Sequence, residues 1–205
     1  MSRVINEEEL KGLLIIISGP SGVGKGTVMR AIKREFDDFI FPISSTTREM
    51  RPGEKDGVVY NFISREEFEK GIEDGDFLEW AKVHQDNYYG TPKAPIVDAL
   101  KKGKIVMREV DVQGAQSIEK IIPEKNLVTI FIKAESEEKL LGRIAKRGEL
   151  PEDEVKRRME SAKKEMDLAD EFKYQVWNYE GEVQDCIEDV KLIIMKEIDK
   201  AGLKI

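Results

Sequence analysis

The chain has 205 residues, with 34 Lys plus Arg against 41 Asp plus Glu, for a formal charge of −7. That sign argues against a general nucleic-acid binder, which carries a basic face, so no nucleic-acid partner is expected. With 40% hydrophobic and 37% charged residues, the chain can build a core under a densely charged surface, which excludes global disorder.

A bilayer span needs about 20 apolar residues, and the longest pure run is Leu13-Leu14-Ile15-Ile16-Ile17, so no membrane association is expected. Residues 1–11 hold Glu7, Glu8 and Glu9 and no apolar h-region, so they do not read as a secretory leader. Cys186 is the single cysteine and reads as a small buried hydrophobe. A reducing, cytoplasmic setting fits it.

In chain order, residues 13–17 form a short apolar run rich in β-branched side chains, as expected of a strand buried on both faces. A glycine-rich turn follows, then a helical stretch through about Glu35. Residues 39–43, 105–110 and 127–132 read as further strands, and 174–177 as a weaker one. Thr91-Pro92 reads as an N-cap with proline at the first helical position, and Gly103 as the stop of that helix. Val183, Ile187, Val190, Ile194 and Ile198 make one apolar stripe on a C-terminal helix. Beyond Asp189 that helix offers either a dimer surface or cover for the core.

Strands alternating with helices predict an α/β domain with a mainly parallel five-stranded sheet flanked by helices. Two regions break the alternation. Residues 44–95 are polar, aromatic-rich and turn-rich, with one short helix opened by the capping box Ser64-x-x-Glu67. About fifty residues is too long for a loop and suggests an inserted subdomain. Residues 136–169 read as a charged helical pair interrupted at 148–151, either a mobile lid or a solvent-facing hairpin.

Gly19-Pro20-Ser21-Gly22-Val23-Gly24-Lys25 fits G-x-x-x-x-G-K between an expected strand and an expected helix, the context that makes the pattern a P-loop. Its glycines let backbone N–H groups turn inward around phosphate oxygens. The following helix adds its positive end and Lys25 a full charge. The binding set is Gly19, Ser21, Gly22, Val23, Gly24, Lys25, Gly26 and Thr27. In many P-loops the residue after the lysine is a Ser or Thr that touches Mg²⁺. Here it is Gly26, with the hydroxyl one place later at Thr27. Mg²⁺ is therefore expected on ATP phosphates and waters, with no protein ligand assigned.

Further on come Ser44-Ser45-Thr46-Thr47-Arg48-Glu49-Met50-Arg51-Pro52-Gly53-Glu54, Tyr60-Asn61-Phe62, Phe77-Leu78-Glu79-Trp80 and Asn87-Tyr88-Tyr89-Gly90-Thr91. Together with the P-loop, in this order and spacing, they resemble guanylate kinase over about residues 13–178. The resemblance implies transfer of the terminal phosphoryl group of ATP to GMP, with Mg²⁺, by a P-loop core (1–43, 96–135 and 170–205), a GMP-binding subdomain (44–95) and a helical lid (136–169). The matched chemistry is coherent. Guanine shows a carbonyl beside two N–H donors, which the Glu79 carboxylate could accept while Ser44 and Thr91 hydroxyls serve the carbonyl. Adenine reverses that pattern and would leave buried polar groups unpaired. By resemblance Arg48, Arg51, Tyr60 and Tyr89 hold the GMP phosphate, with Asp111 also on the substrate side.

Lid arginines of the family match Arg143, Arg147 and Arg158, to be gathered around the transferring phosphoryl with Lys25 and Arg48. Arg143 and Arg147 are four apart on one helix face, and pairing with Glu138 or Glu149 is the alternative. Asn178 matches an adenine contact. Two stretches depart from the family pattern: Arg108 stands where an apolar residue is usual, and Tyr179 follows Asn178 where Asp is usual. His84, the only histidine, reads as a surface residue.

Two other readings remain. Guanylate-kinase-like scaffold modules bind phosphorylated partners, but typically lack a working P-loop, which Lys25 keeps here. A kinase for another monophosphate or for a phosphorylated sugar is opposed by Glu79 with Ser44. Oligomeric state is left at monomer or homodimer.

Overall fold

The computed structural model describes residues 5–83, 86–136, 138–140, 142 and 152–204. In chain order its elements are β1 (Leu13–Ser18), α1 (Lys25–Glu35), β2 (Ser45–Thr46), β3 (Asn61–Phe62), α2 (Arg65–Asp74), β4 (Phe77–Val83), β5 (Asn87–Pro92) and α3 (Lys93–Lys101). Then follow β6 (Ile105–Glu109), α4 (Val112–Glu119), β7 (Leu127–Ala134), α5 (Glu152–Asp167), β8 (Tyr174–Asn178) and α6 (Val183–Lys200).

One sheet has the order β6-β1-β7-β8 and is the parallel sheet, flanked by helices, that the alternation predicts. It has four strands rather than five. Residues 39–43 shrink to a single parallel bridge between Ile40 and Val106, closed by the Ile40 N–H on the Ile105 carbonyl at 2.9 Å. Pro42 lacks an N–H, so a ladder begun at Ile40 cannot continue through it. All of β1 is buried, as its continuous apolar run requires.

A second sheet, β3-β2-β5-β4, lies within residues 44–95. The β4–β5 hairpin in it was not predicted. Ser64 caps α2 as expected, its hydroxyl accepting from Glu67 N–H at 3.1 Å while Glu67 accepts from Ser64 N–H at 2.8 Å. Helix α3 begins one residue later than the sequence suggests, with Pro92 at the N-cap position and Thr91 in β5. Gly103 ends it at φ 73°, the left-handed conformation glycine adopts without a Cβ penalty.

Chain packing divides the protein into two units. One comprises Met1–Leu14, Ile40–Val106 and Gln113–Leu127 and holds the second sheet. The other comprises Ile15–Phe39, Met107–Val112 and Val128–Ile205. In it the α6 stripe of Ile187, Val190, Ile194 and Ile198 is buried together with Cys186. Among the described residues no helix is long and apolar enough to cross a membrane.

Candidate active site

The turn between β1 and α1 is shaped by glycine. Gly19, Gly22 and Gly24 have φ of 139°, 86° and 108°, which side-chain-bearing residues rarely adopt. Space forbids a side chain as well: a Cβ on Gly19 would stand 2.4 Å from the Ile132 carbonyl oxygen, and one on Gly24 2.5 Å from Asn178 Nδ2. Gly24 is the N-cap of α1, and no side chain caps that end. A helix N-terminus without a side-chain cap presents N–H groups and partial positive charge to an anion. The Lys25 ammonium folds back over the turn, donating to the carbonyls of Gly19 and, at 3.1 Å, of Pro20. The expected phosphate set from Gly19 to Thr27 is thus one loop and helix start. The Thr27 hydroxyl accepts from Arg30 Nη2 at 3.0 Å.

Asn178, matched by resemblance to a base contact, is placed under this turn. It is buried, and its Nδ2 donates to the Val23 carbonyl at 2.7 Å. Arg158 lies on α5, whereas Arg143 and Arg147 fall outside the described residues, as does His84. Asp111 is exposed in the connection between β6 and α4. Burial pushes the Glu165 carboxyl of α5 up; a hydrogen bond from Ser161 and the charge of Lys25 oppose this, and the charge of Asp111 adds to it. Glu165 is therefore electrostatically coupled to the P-loop lysine, a relation its helical surroundings in the sequence do not reveal.

The second sheet explains how the other expected residues come together. Glu79 pairs with Thr91 and Ala81 with Tyr89 across the hairpin, while Thr46 pairs with Tyr89 and with Phe62. Directly paired residues share a face and alternate residues share a face. Glu79, Thr91, Tyr89 and Thr46 therefore lie on one side, with Ser44 and Tyr60 in phase with Thr46 and Phe62. Gly90, Tyr88 and Phe77 belong to the opposite side, where Phe68 of α2 stacks on Phe77 at 4.3 Å and on Tyr88 at 5.1 Å. Gly90 makes room for that stack, since a Cβ there would stand 2.9 Å from both the Phe68 and Phe77 rings.

Phe77 and Glu79 are two apart and would share a face in a regular strand. A register shift between them places Phe77 opposite Pro92 and Glu79 opposite Thr91, so the two point to opposite sides. The Thr91 hydroxyl donates to Glu79 Oε1. Its proton is thus committed to the carboxylate rather than turned toward a ligand carbonyl.

Beside them Arg48 sits 5.6 Å over the Tyr60 ring and 5.4 Å over the Phe62 ring. Tyr60 and Tyr89 meet edge to face at 5.7 Å. Arg48 Nη1 donates to the Glu49 carbonyl at 2.7 Å, and Nη2 to both oxygens of Glu54 at 2.9 and 3.0 Å. Glu54 also accepts from Arg51 N–H at 2.8 Å. The Arg48 guanidinium, followed by the Arg51 N–H, holds the Glu54 carboxyl below the usual carboxylate range, against the opposing effect of burial. Of the arginines expected here, Arg48 joins the tyrosines, while Arg51 contributes its backbone and leaves its side chain exposed. Glu54 was missed by sequence reasoning; its place three residues after Arg51 in a proline-glycine turn was the available signal.

The guanylate kinase family profile matches residues 11–197. Guanylate kinase of Clostridioides difficile is 43% identical over 192 residues, covering 94% of this chain and 91% of its own. That of Clostridium tetani is 46% identical over 187 residues, covering 91% of this chain and 87% of its own. The crystal structure of guanylate kinase from Anaplasma phagocytophilum matches with a TM-score of 0.68 and 25% identity, covering 92% of this chain and 87% of that one. A glycine-shaped turn at a helix N-terminus, a carboxylate-bearing sheet face and a profile match over most of the sequence agree, and the chain belongs to the guanylate kinase family.

Proposed function

We infer that this chain is an ATP:GMP phosphotransferase, moving the terminal phosphoryl group of ATP to GMP and giving ADP and GDP. Family membership supports the reaction, and the observation that carries the acceptor is the shared face of Glu79, Thr91, Tyr89 and Tyr60 beside Arg48. In this reading residues 44–95 are the GMP-binding subdomain, 136–169 the lid, and the rest the P-loop core.

Glu79 accepts the two guanine N–H donors, and Thr91 holds it in place. Ser44 completes the base pocket, and Arg48, Arg51, Tyr60 and Tyr89 donate to the GMP phosphate, with Asp111 on the substrate side. ATP phosphates lie in the turn from Gly19 to Thr27, and Asn178 serves the ATP site. Lys25, Arg48, Arg143, Arg147 and Arg158 neutralise charge on the transferring phosphoryl, a reaction that needs positioning and electrostatics rather than a covalent intermediate. Mg²⁺ would be carried by the ATP phosphates and waters, where it would help neutralise their charge, with no protein ligand assigned. The same reading takes the chain as a cytoplasmic monomer or homodimer.

The test is a coupled ADP assay with GMP, AMP, UMP and dTMP as acceptors. GMP is expected to be preferred by orders of magnitude, because a site built to hydrogen-bond its substrate strongly rejects an analogue lacking those groups. Equal or greater turnover with AMP would overturn the guanine assignment.

A further inference from the structure

We propose that Glu54 is a positioning residue for the acceptor phosphate: it fixes Arg48 over Tyr60 and Phe62 so that the guanidinium is pre-set for a phosphate dianion. The proposal rests on reading the Arg48, Tyr60 and Tyr89 cluster as the GMP phosphate site.

An arginine side chain has several rotatable bonds and loses their freedom when it is fixed. Here the ordering is done before substrate arrives. Glu54 takes Nη2 with both carboxylate oxygens, and the Glu49 carbonyl takes Nη1. A guanidinium has five N–H donors on three nitrogens, so donors remain for a further anion. The aromatic rings of Tyr60 and Phe62 flank the guanidinium, their centroids 5.6 and 5.4 Å from its Cζ. The side chains of Arg48 and Glu54 are only 14% and 19% exposed, so the pair is shielded from the screening that makes open surface pairs ineffective.

Glu54 is itself anchored. It accepts the Arg51 N–H, and its own N–H donates to the Arg51 carbonyl at 3.0 Å, which ties the turn carrying both arginines to one carboxylate. A negative group beside a site for a dianion lowers the net attraction, and it is tolerated where geometry gains more than charge loses. The opposite possibility is that Glu54 competes with phosphate for Arg48, and the two make opposite predictions.

The experiment measures steady-state kinetics of Glu54→Ala and Glu54→Gln, together with titration of GMP and of guanosine into each protein. Glu54→Ala is expected to raise KM for GMP about tenfold, the scale on which outer-shell partners act. KM for ATP and the affinity for guanosine should stay at wild-type values. Glu54→Gln keeps an oxygen for Arg48 and should recover part of the loss. Unchanged or lower KM for GMP in Glu54→Ala overturns the proposal; if that variant does not fold, unchanged or lower KM in Glu54→Gln does so. Wild-type protein that binds GMP no better than guanosine would instead sink the phosphate-site reading itself. Preserved discrimination between GMP and guanosine in both variants sinks only the role of Glu54.

Discussion

Thr91 gives its hydroxyl proton to Glu79 across the β4–β5 hairpin, so one expected base ligand orients the other. Glu79→Gln removes the acceptor for two N–H donors and puts an NH₂ where Thr91 or the base must be met. The expected outcome is a rise in KM for GMP of about 10²-fold or more with KM for ATP unchanged, measured by coupled assay. Thr91→Val keeps the carboxylate but removes the hydroxyl that orients it, and should cost less, about tenfold.

Asn178 grips the Val23 carbonyl at 2.7 Å and leaves no room for a side chain at position 24. Its effect should therefore fall on the phosphate cradle, whatever it does for the base. Asn178→Ala is expected to weaken inorganic tripolyphosphate, which has no base, as much as it weakens ATP, by about tenfold on titration. Weakened ATP with unchanged tripolyphosphate would show that Asn178 serves the adenine ring alone.

Gly26 has ordinary space around it: an added Cβ would stand 3.6 Å from Arg30 Nη1 and 4.0 Å from Glu109 Oε2. A hydroxyl here would supply the group that many P-loops turn toward Mg²⁺. Gly26→Ser is thus expected to fold at least as stably as the parent, with a gain of up to about 0.5 kcal/mol from helix propensity. It should also reach half-maximal rate at a lower Mg²⁺ concentration, read from a magnesium titration at fixed ATP.

Tyr174 and Lys173 converge on Glu197, donating at 2.6 Å each to a carboxylate buried on α6. The bond to Glu197, helped by burial and by the negative charge, pushes the Tyr174 phenol up to about 12. A raised value in the folded state means that stability is present below the ordinary tyrosine value near 10 and is lost as pH climbs toward 12. For Glu197 burial pushes upward, but the bonds from Lys173 and Tyr174 win and its carboxyl is lowered, so its contribution holds above the ordinary range and fades in acid. Tyr174→Phe should flatten the alkaline decline in Tm between pH about 10 and about 12 and reduce the acid limb without abolishing it, because the Lys173 bond to Glu197 remains.

The parallel sheet was legible because β1 is an apolar run closed by Ser18, β6 opens on Ile105-Val106-Met107 and β7 is apolar apart from Thr129 and Lys133, a signal that needs no knowledge of neighbours. The capping box of α2 was legible for the same reason, since Ser64 and Glu67 are satisfied by each other. The hairpin was not. Phe77-Leu78-Glu79-Trp80-Ala81-Lys82-Val83 has no clean alternation, because one face carries polar groups, Trp80 is exposed, and the register shift breaks the period. Thr91-Pro92 misled by one residue because the Thr91 hydroxyl finds a partner across the sheet, where a local capping rule cannot look. The glycine-rich turn before α1 could be read from spacing and the proposed acceptor residues from the resemblance, whereas the tie between Glu54 and Arg48 depends on how a turn closes.

The irregularity between Phe77 and Glu79 acts as a phase selector between two incompatible environments. Pro92 and Thr91 are neighbours, so Leu78 is the surplus residue of the bulge; adding one residue between them in β5 would straighten the ladder and bring Phe77 and Glu79 to one side, forcing a carboxylate against a stack of rings or a ring beside Thr91. The proposed base pocket and the packing behind it are thereby joined in a single spare amino acid.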